Sequence, residues 1–283
     1  MRFDGYIIVP NREFKYLCGM KLTFLGTGTS QGVPVIGCRC EVCRSRDARD
    51  MRLRTSAYVE VEGRAIVIDA GPDFRQQMLR ADIRHLDAIL LTHQHKDHTA
   101  GIDDVRAFNF VDFPIIHTMH IYGNEPTITS IRRDFHYAFS EDKYRGVPEI
   151  ELHTIAEDKP FVVADVEVMP VVGSHSERFR SVGFRFGELA YLTDMNAIAD
   201  EEIAKLKGVK VLVVNALRWE SHNSHFSVAE ALEVIRRVAP ERAYLTHMSH
   251  RIGLHAVAEQ HLPEGVYLAY DGLTVTINEQ EKE

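Results

Sequence analysis

Apolar residues along the chain gather in short runs that alternate with polar positions or end abruptly at glycine, threonine and charged residues. Strands produce this pattern. Regular alternation begins with Met20-Lys-Leu-Thr-Phe-Leu25. Residues 1–19 carry no such pattern, so they read as an N-terminal extension ahead of a domain spanning 20–283. Ala57 to Glu62 and Ala65 to Asp69 alternate and meet at Gly63-Arg64, a hairpin signal. Ala88-Ile-Leu-Leu91 is continuously apolar, as a strand buried on both faces would be. Ile121-Tyr122 is a short strand. A second set follows at Phe161–Val163, Val166–Val172, Val182–Phe186 and Leu189–Leu192, then at Val211–Val214, Ala243–Leu245, Val266–Leu268 and Leu273–Ile277. Helical spacing predicts helices over Pro72–Ala81, with proline in the first turn, Asp103–Phe110, Thr127–Phe139 and Asn196–Lys207. Another opens at the capping box Ser227-Val-Ala-Glu230 and runs to Ala239, before Pro240. Residues 110–150 are the least regular. Phe135, His136, Tyr137, Phe139, Lys143, Tyr144 and Arg145 mix aromatic and basic character there and read as a surface insertion. Two rounds of strands and helices without a linker predict one domain of α/β (α+β) type: two packed sheets with helices outside.

The candidate chemistry sits just past the apolar run, in Leu90-Leu-Thr-His-Gln-His-Lys-Asp-His98. His93, His95, Asp97 and His98 are imidazole and carboxylate donors suited to zinc, manganese or iron. Four such groups exceed what one substrate-binding ion needs. The spacing suggests two ions, with His93 and His95 on one and Asp97 and His98 on the other. Leu90-Leu-Thr-His93 is echoed by Tyr191-Leu-Thr-Asp194 and Tyr244-Leu-Thr-His247, three apolar strands that each end in threonine and then a ligand-type residue. Buried strands that deliver ligands to one rim make a rigid site. His117, His120, His136, His153 and His175 compete for a further place. His222 and His225 stand before the Ser227 helix as candidate proton donors. Cys38-Arg-Cys40-Glu-Val-Cys43 supplies three thiolates where a structural zinc takes four ligands, and Cys18 stands apart. Gly26-Thr-Gly-Thr-Ser-Gln-Gly32 has glycines at 26, 28 and 32, out of register for a dinucleotide-binding loop, and no helical pattern follows.

Composition narrows the class. With 283 residues, 45% hydrophobic and 26% charged, the chain is an ordinary globular protein with a sizeable core. No apolar run approaches the ~20 residues of a membrane helix, and the first residues lack the features of a secretion signal. A net charge of −8 offers no general attraction to nucleic acid. Clustered cysteines suit a metal site in a reducing compartment, hence a cytoplasmic protein.

His93-x-His95-x-Asp97-His98 after an apolar strand resembles the signature of the metallo-β-lactamase superfamily. Phe24-Leu-Gly-Thr-Gly-Thr-Ser-Gln-Gly-Val-Pro34 resembles the opening strand and loop of its phosphodiesterase branch, which includes tRNA 3′-processing enzymes and PhnP-like phosphodiesterases. The cysteine cluster, with His250 three residues after His247, is similar to the PhnP-like pattern in particular. The resemblance implies an αββα sandwich from about Met20 onward. It places His175 as the third imidazole, so that His93, His95 and His175 hold one manganese or zinc ion. Asp97, His98 and His247 hold the other, and Asp194 bridges. Asp69, by its position just past its own strand, would orient a ligand histidine. Cys38, Cys40, Cys43 and His250 bind a structural zinc. His225 is implied as general acid ahead of His222, with Asp97 counted in the catalytic set. A hydroxide between the ions would attack phosphorus. The implied substrate is a small phosphodiester such as a ribosyl 1,2-cyclic phosphate or a 2′,3′-cyclic nucleotide, handled by a homodimer with no nucleic-acid or membrane partner. The rivals are a tRNA 3′-endonuclease, a thioester or lactone hydrolase of the same fold, and a non-catalytic metal-binding protein.

Overall fold

A computed structural model describes residues 19–277. The N-terminal extension expected over 1–19, including Cys18, lies outside the described residues except for Gly19.

Alternating and continuous apolar runs build fifteen strands among the described residues. The first six are β1 (Met20–Gly26), β2 (Ser56–Val61), β3 (Arg64–Ile68), β4 (Ala88–Leu90), β5 (Met119–Gly123) and β6 (Ile150–Thr154). Then come β7 (Phe161–Val163), β8 (Val166–Ser174), β9 (Arg180–Phe186), β10 (Leu189–Tyr191), β11 (Ala197–Ile198), β12 (Val211–Asn215), β13 (Arg242–Thr246), β14 (Val266–Leu268) and β15 (Thr274–Ile277). One sheet has the order β15-β1-β2-β3-β4-β5-β6 and the other β11-β8-β9-β10-β12-β13-β14, with β7 on β8. Each sheet is antiparallel in one half and parallel in the other. β3 through β6 run parallel, as do β10, β12, β13 and β14.

Inward-facing side chains fill the space between the sheets. Leu22, Phe24, Val59, Ile66, Ile68 and Leu90 meet Val168, Val182, Phe184, Phe186, Tyr191 and Val213, and all of them are fully buried. Each large side chain so placed contributes roughly 1.5–3 kcal/mol of burial. Helices cover the outer faces. α1 (Phe74–Arg80), α3 (Arg106–Asn109) and α4 (Glu125–Asp134) pack on the first sheet. α5 (Asp200–Ala204), α6 (Val228–Val238) and α7 (His255–Ala258) pack on the second. α2 (Lys96–Thr99) is one turn within the histidine motif. The αββα sandwich is therefore present. Among the described residues no helix is long and apolar enough to cross a membrane.

Local signals explain most boundaries. The capping box at Ser227 and Glu230 forms, and α6 ends at Ala239 in the left-handed region, φ 54°. Asn124 caps α4. The helix expected over Asn196–Lys207 is shorter. Asn196 donates to the Ser174 carbonyl at 2.7 Å, and Ala197–Ile198 becomes an edge strand on β8, leaving only Asp200–Ala204 helical. β6 was not foreseen from the pattern.

The two parallel halves point their carboxyl ends to one rim. Asp69, Asp194 and His247, each just past a strand, have φ of 63°, 57° and 57°. Non-glycine residues rarely adopt this region, and it marks turns forced by surrounding structure. Gly71 lets the turn after Asp69 press against the histidine motif: a Cβ there would lie 2.0 Å from the Asp97 carbonyl oxygen.

Candidate metal centre

The histidine motif leaves β4 and crosses the rim. Nδ1 of His95 lies 2.9 Å from Nε2 of His93 and 3.1 Å from Nε2 of His175, which arrives from the end of β8. Three imidazole nitrogens thus converge with at most one proton between any two. Their far nitrogens are tied down. His175 Nδ1–H donates to the Ser224 carbonyl at 2.9 Å, and His93 Nδ1 contacts the Thr92 hydroxyl at 3.0 Å. Such bonds set which nitrogen is left to bind a metal.

A second group stands beside the first. His98 Nε2 lies 3.2 Å from Asp97 and 3.3 Å from Asp194. His247 Nε2, at the end of β13, lies 3.1 Å from Asp194 and 3.8 Å from Asp97. His98 Nδ1–H donates to Asp69 at 2.7 Å, and Asp69 also accepts from the amide and hydroxyl of Thr92. Asp69 therefore braces the His98 ring from behind. Asp194 touches both groups: its Oδ1 is 3.9 Å from His175 Nε2 as well as close to His247.

The donor set fits divalent ions. Both ring nitrogens of His247 and Nε2 of His98 are buried without an aligned hydrogen-bond partner, which is costly unless a cation occupies the centre. Charge tells the same story. Burial lowers His93, and it lowers His175 to about 4, so both rings are neutral and available. Burial opposes charge on His98 too, but Asp194, Asp97 and Asp69 outweigh it and hold that ring well above the ordinary imidazole range. Burial likewise disfavours charge on Asp97 and Asp194, yet the surrounding histidines keep both carboxyls ionised, well below the usual range. A site that borrows protons to balance its carboxylates is one that metal cations would neutralise.

His225 stands at the lip. Its Nε2 is 3.0 Å from Asp194 Oδ1 and its ring stacks on His247 at 4.8 Å. His222 touches His225 and Ser224 and forms no contact with the carboxylates in the described geometry. Thr92, Ser224 and Phe179, whose ring meets His95 at 5.0 Å, are functional neighbours that went unassigned. Only the threonine left a trace, as the repeated Leu-Thr before each ligand.

The cysteine cluster closes on the predicted histidine. Sγ atoms of Cys38, Cys40 and Cys43 lie 3.3, 3.3 and 3.4 Å from His250 Nδ1. A tetrahedral zinc with Zn–S ~2.3 Å and Zn–N ~2.05 Å has sulfur–nitrogen edges of roughly 3.6 Å. The Cys43 amide bonds to the Cys40 sulfur and, with neighbouring groups, lowers that thiol to about 6, whereas burial raises Cys43 to about 11. The cluster is fastened beside the rim, because Met248 exchanges backbone bonds with Thr27 and Thr29.

A family model described as a Beta-lactamase superfamily domain matches residues 64–248. The crystal structure of a diphosphatase from the PhnP family superposes with a TM-score of 0.84 at 36% identity, covering 91% of this chain and 98% of that one. An octanoyltransferase of Porphyromonas gingivalis (strain ATCC BAA-308 / W83) is 41% identical over 263 residues, 92% of this chain and 52% of the relative, so the chain spans about half the length of that protein. A ribonuclease Z of Mycobacterium sp. (strain KMS) is 26% identical over 261 residues, 81% of this chain and 84% of the relative.

Proposed function

Because the chain belongs to the β-lactamase superfamily, within its PhnP-like branch, we propose that it is a dinuclear metal-dependent phosphodiesterase acting on a small cyclic phosphodiester, such as a ribosyl 1,2-cyclic phosphate or a 2′,3′-cyclic nucleotide. The observation that carries this reading is the pairing of two ligand groups around one carboxylate, with His225 on that same carboxylate. His93, His95 and His175 would hold one manganese or zinc ion, Asp97, His98 and His247 the other, and Asp194 both. Cys38, Cys40, Cys43 and His250 would hold a structural zinc. Paired divalent ions lower the pKa of water and offset negative charge on a phosphoryl group.

The side chains do the rest. Asp194 accepts the Nε2 proton of His225 and so points that ring at the centre. Burial lowers His225, although its bond to Asp194 opposes this. His225 delivers its proton to the leaving alkoxide, a step worth roughly 10²–10⁴ in rate. Ser224 and His222 steady it from behind. His225→Ala should lose activity by that factor while keeping its metal content. Full activity in this variant would remove His225 from the role.

A second reading follows from the octanoyltransferase relative: the electrophile is an acyl thioester or lactone carbonyl, not phosphorus. The ribonuclease Z relative raises RNA as a substrate, but an excess of 41 acidic over 33 basic residues argues for a small ligand. A cytoplasmic homodimer completes the proposal.

A further inference from the structure

We propose that His120, Glu151 and His153 form an additional, open binding site for a divalent transition ion of the zinc class, separate from the rim and from the cysteine cluster. The three residues share none of the ligands described above and lie on neighbouring strands, not at strand ends. β5 and β6 pair in parallel with His120 opposite Glu151 and Tyr122 opposite His153. Residues two apart on a strand share a face, so Glu151 and His153 project together, with His120 beside them.

The donor atoms already stand at ligand spacing. His120 Nδ1 is 3.0 Å from His153 Nε2. Glu151 Oε2 is 3.7 Å from His120 Nδ1, and Oε1 is 3.6 Å from His153 Nε2. The edges of a tetrahedron with metal–nitrogen bonds of ~2.05 Å are roughly 3.3 Å, between these values. The site is also stiff. Tyr122 stacks on the His153 ring at 4.4 Å and 15°, and Phe161 stacks in turn on Tyr122 at 6.1 Å. Side-chain exposures of 41%, 58% and 29% for His120, Glu151 and His153 leave room for water at the remaining coordination positions. The ion would therefore be exchangeable, in contrast to a closed four-ligand site. Two imidazoles and one carboxylate select zinc, nickel or copper over calcium or magnesium, which prefer oxygen alone.

Equilibrium dialysis of the full chain against Zn²⁺ tests this directly. The wild type should take up one exchangeable zinc per chain more than His120→Ala/His153→Ala, and Glu151→Gln should weaken that ion alone. The double variant should keep the wild-type phosphodiesterase activity and thermal transition when no zinc is added. Cu²⁺ added to the zinc-loaded wild type should give an electron paramagnetic resonance spectrum with two imidazole nitrogens, and His153→Ala should lose it. Equal zinc uptake by wild type and double variant, or a copper spectrum without imidazole nitrogen, overturns the site and leaves the two rings as a plain hydrogen-bonded pair.

Discussion

Asp69 touches no metal in the proposed site, yet replacing it with asparagine should loosen one. The carboxylate is fully buried. It accepts from the Thr92 amide at 2.9 Å, the Thr92 hydroxyl at 2.9 Å and His98 Nδ1–H at 2.7 Å. Its φ of 63° suits asparagine, one of the few residues that tolerate this region, so the turn should survive the change. The amide keeps one oxygen for the Thr92 amide but turns an NH₂ toward His98. Nδ1 must then accept, which moves the ring proton to Nε2, the nitrogen that faces Asp97 and Asp194. Changes of this kind behind a ligand histidine typically cost 10–100-fold in metal affinity, or ~1.4–2.8 kcal/mol. Competition with a chromophoric chelator measures that loss, and a zinc held by the cysteine cluster, as proposed, would serve as an internal control that should not change. Wild-type affinity in Asp69→Asn, to within about twofold, would refute the tautomer argument.

Other outcomes follow from the same geometry. His250→Ala should lose one tightly held zinc per chain by elemental analysis. If that ligand contributes about 2 kcal/mol, the thermal transition falls by roughly 4–8 °C; unchanged zinc content and stability would dissolve the structural site. In metal-free protein, His93 and His175 stay neutral where an unfolded chain, with imidazoles near ~6.5, takes up protons. The unfolded state binds more protons between about pH 6.5 and the His175 value of about 4, so stability should fall on acidification through that window. His98, whose pKa is raised, acts the other way only above about pH 6.5. Denaturant titrations at pH 7 and pH 5 that coincide would contradict this.

Most of the rim was legible because its ligands follow apolar strands directly. His93, Asp194 and His247 each sit after a Leu-Thr pair, so strand placement alone brings them together. His175 lacks that signature and was placed by family resemblance, as was His250. The supporting contacts were not legible, because they join segments far apart in sequence: Ser224 holds His175 across 49 positions. β6 was missed although Ile150-Glu-Leu-His153 alternates as a strand does, because it is only five residues long and adjoins the irregular 110–150 stretch; with it went the proximity of His120 and His153, 33 positions apart. Helical propensity over Asn196–Lys207 lost at its start to the free edge of β8, which offered Ala197 and Ile198 strand pairing.

In the proposed reaction the two ligand groups joined by Asp194 serve hydrolysis at phosphorus. Its most direct test is to assay the metal-loaded chain against a 2′,3′-cyclic nucleotide, bis-p-nitrophenyl phosphate, a diphosphate and an octanoyl thioester, before and after chelation. The phosphodiesters should be cleaved, with activity lost on chelation and restored by manganese or zinc. Hydrolysis of the thioester alone, or phosphodiester cleavage that survives complete removal of metal, would contradict it.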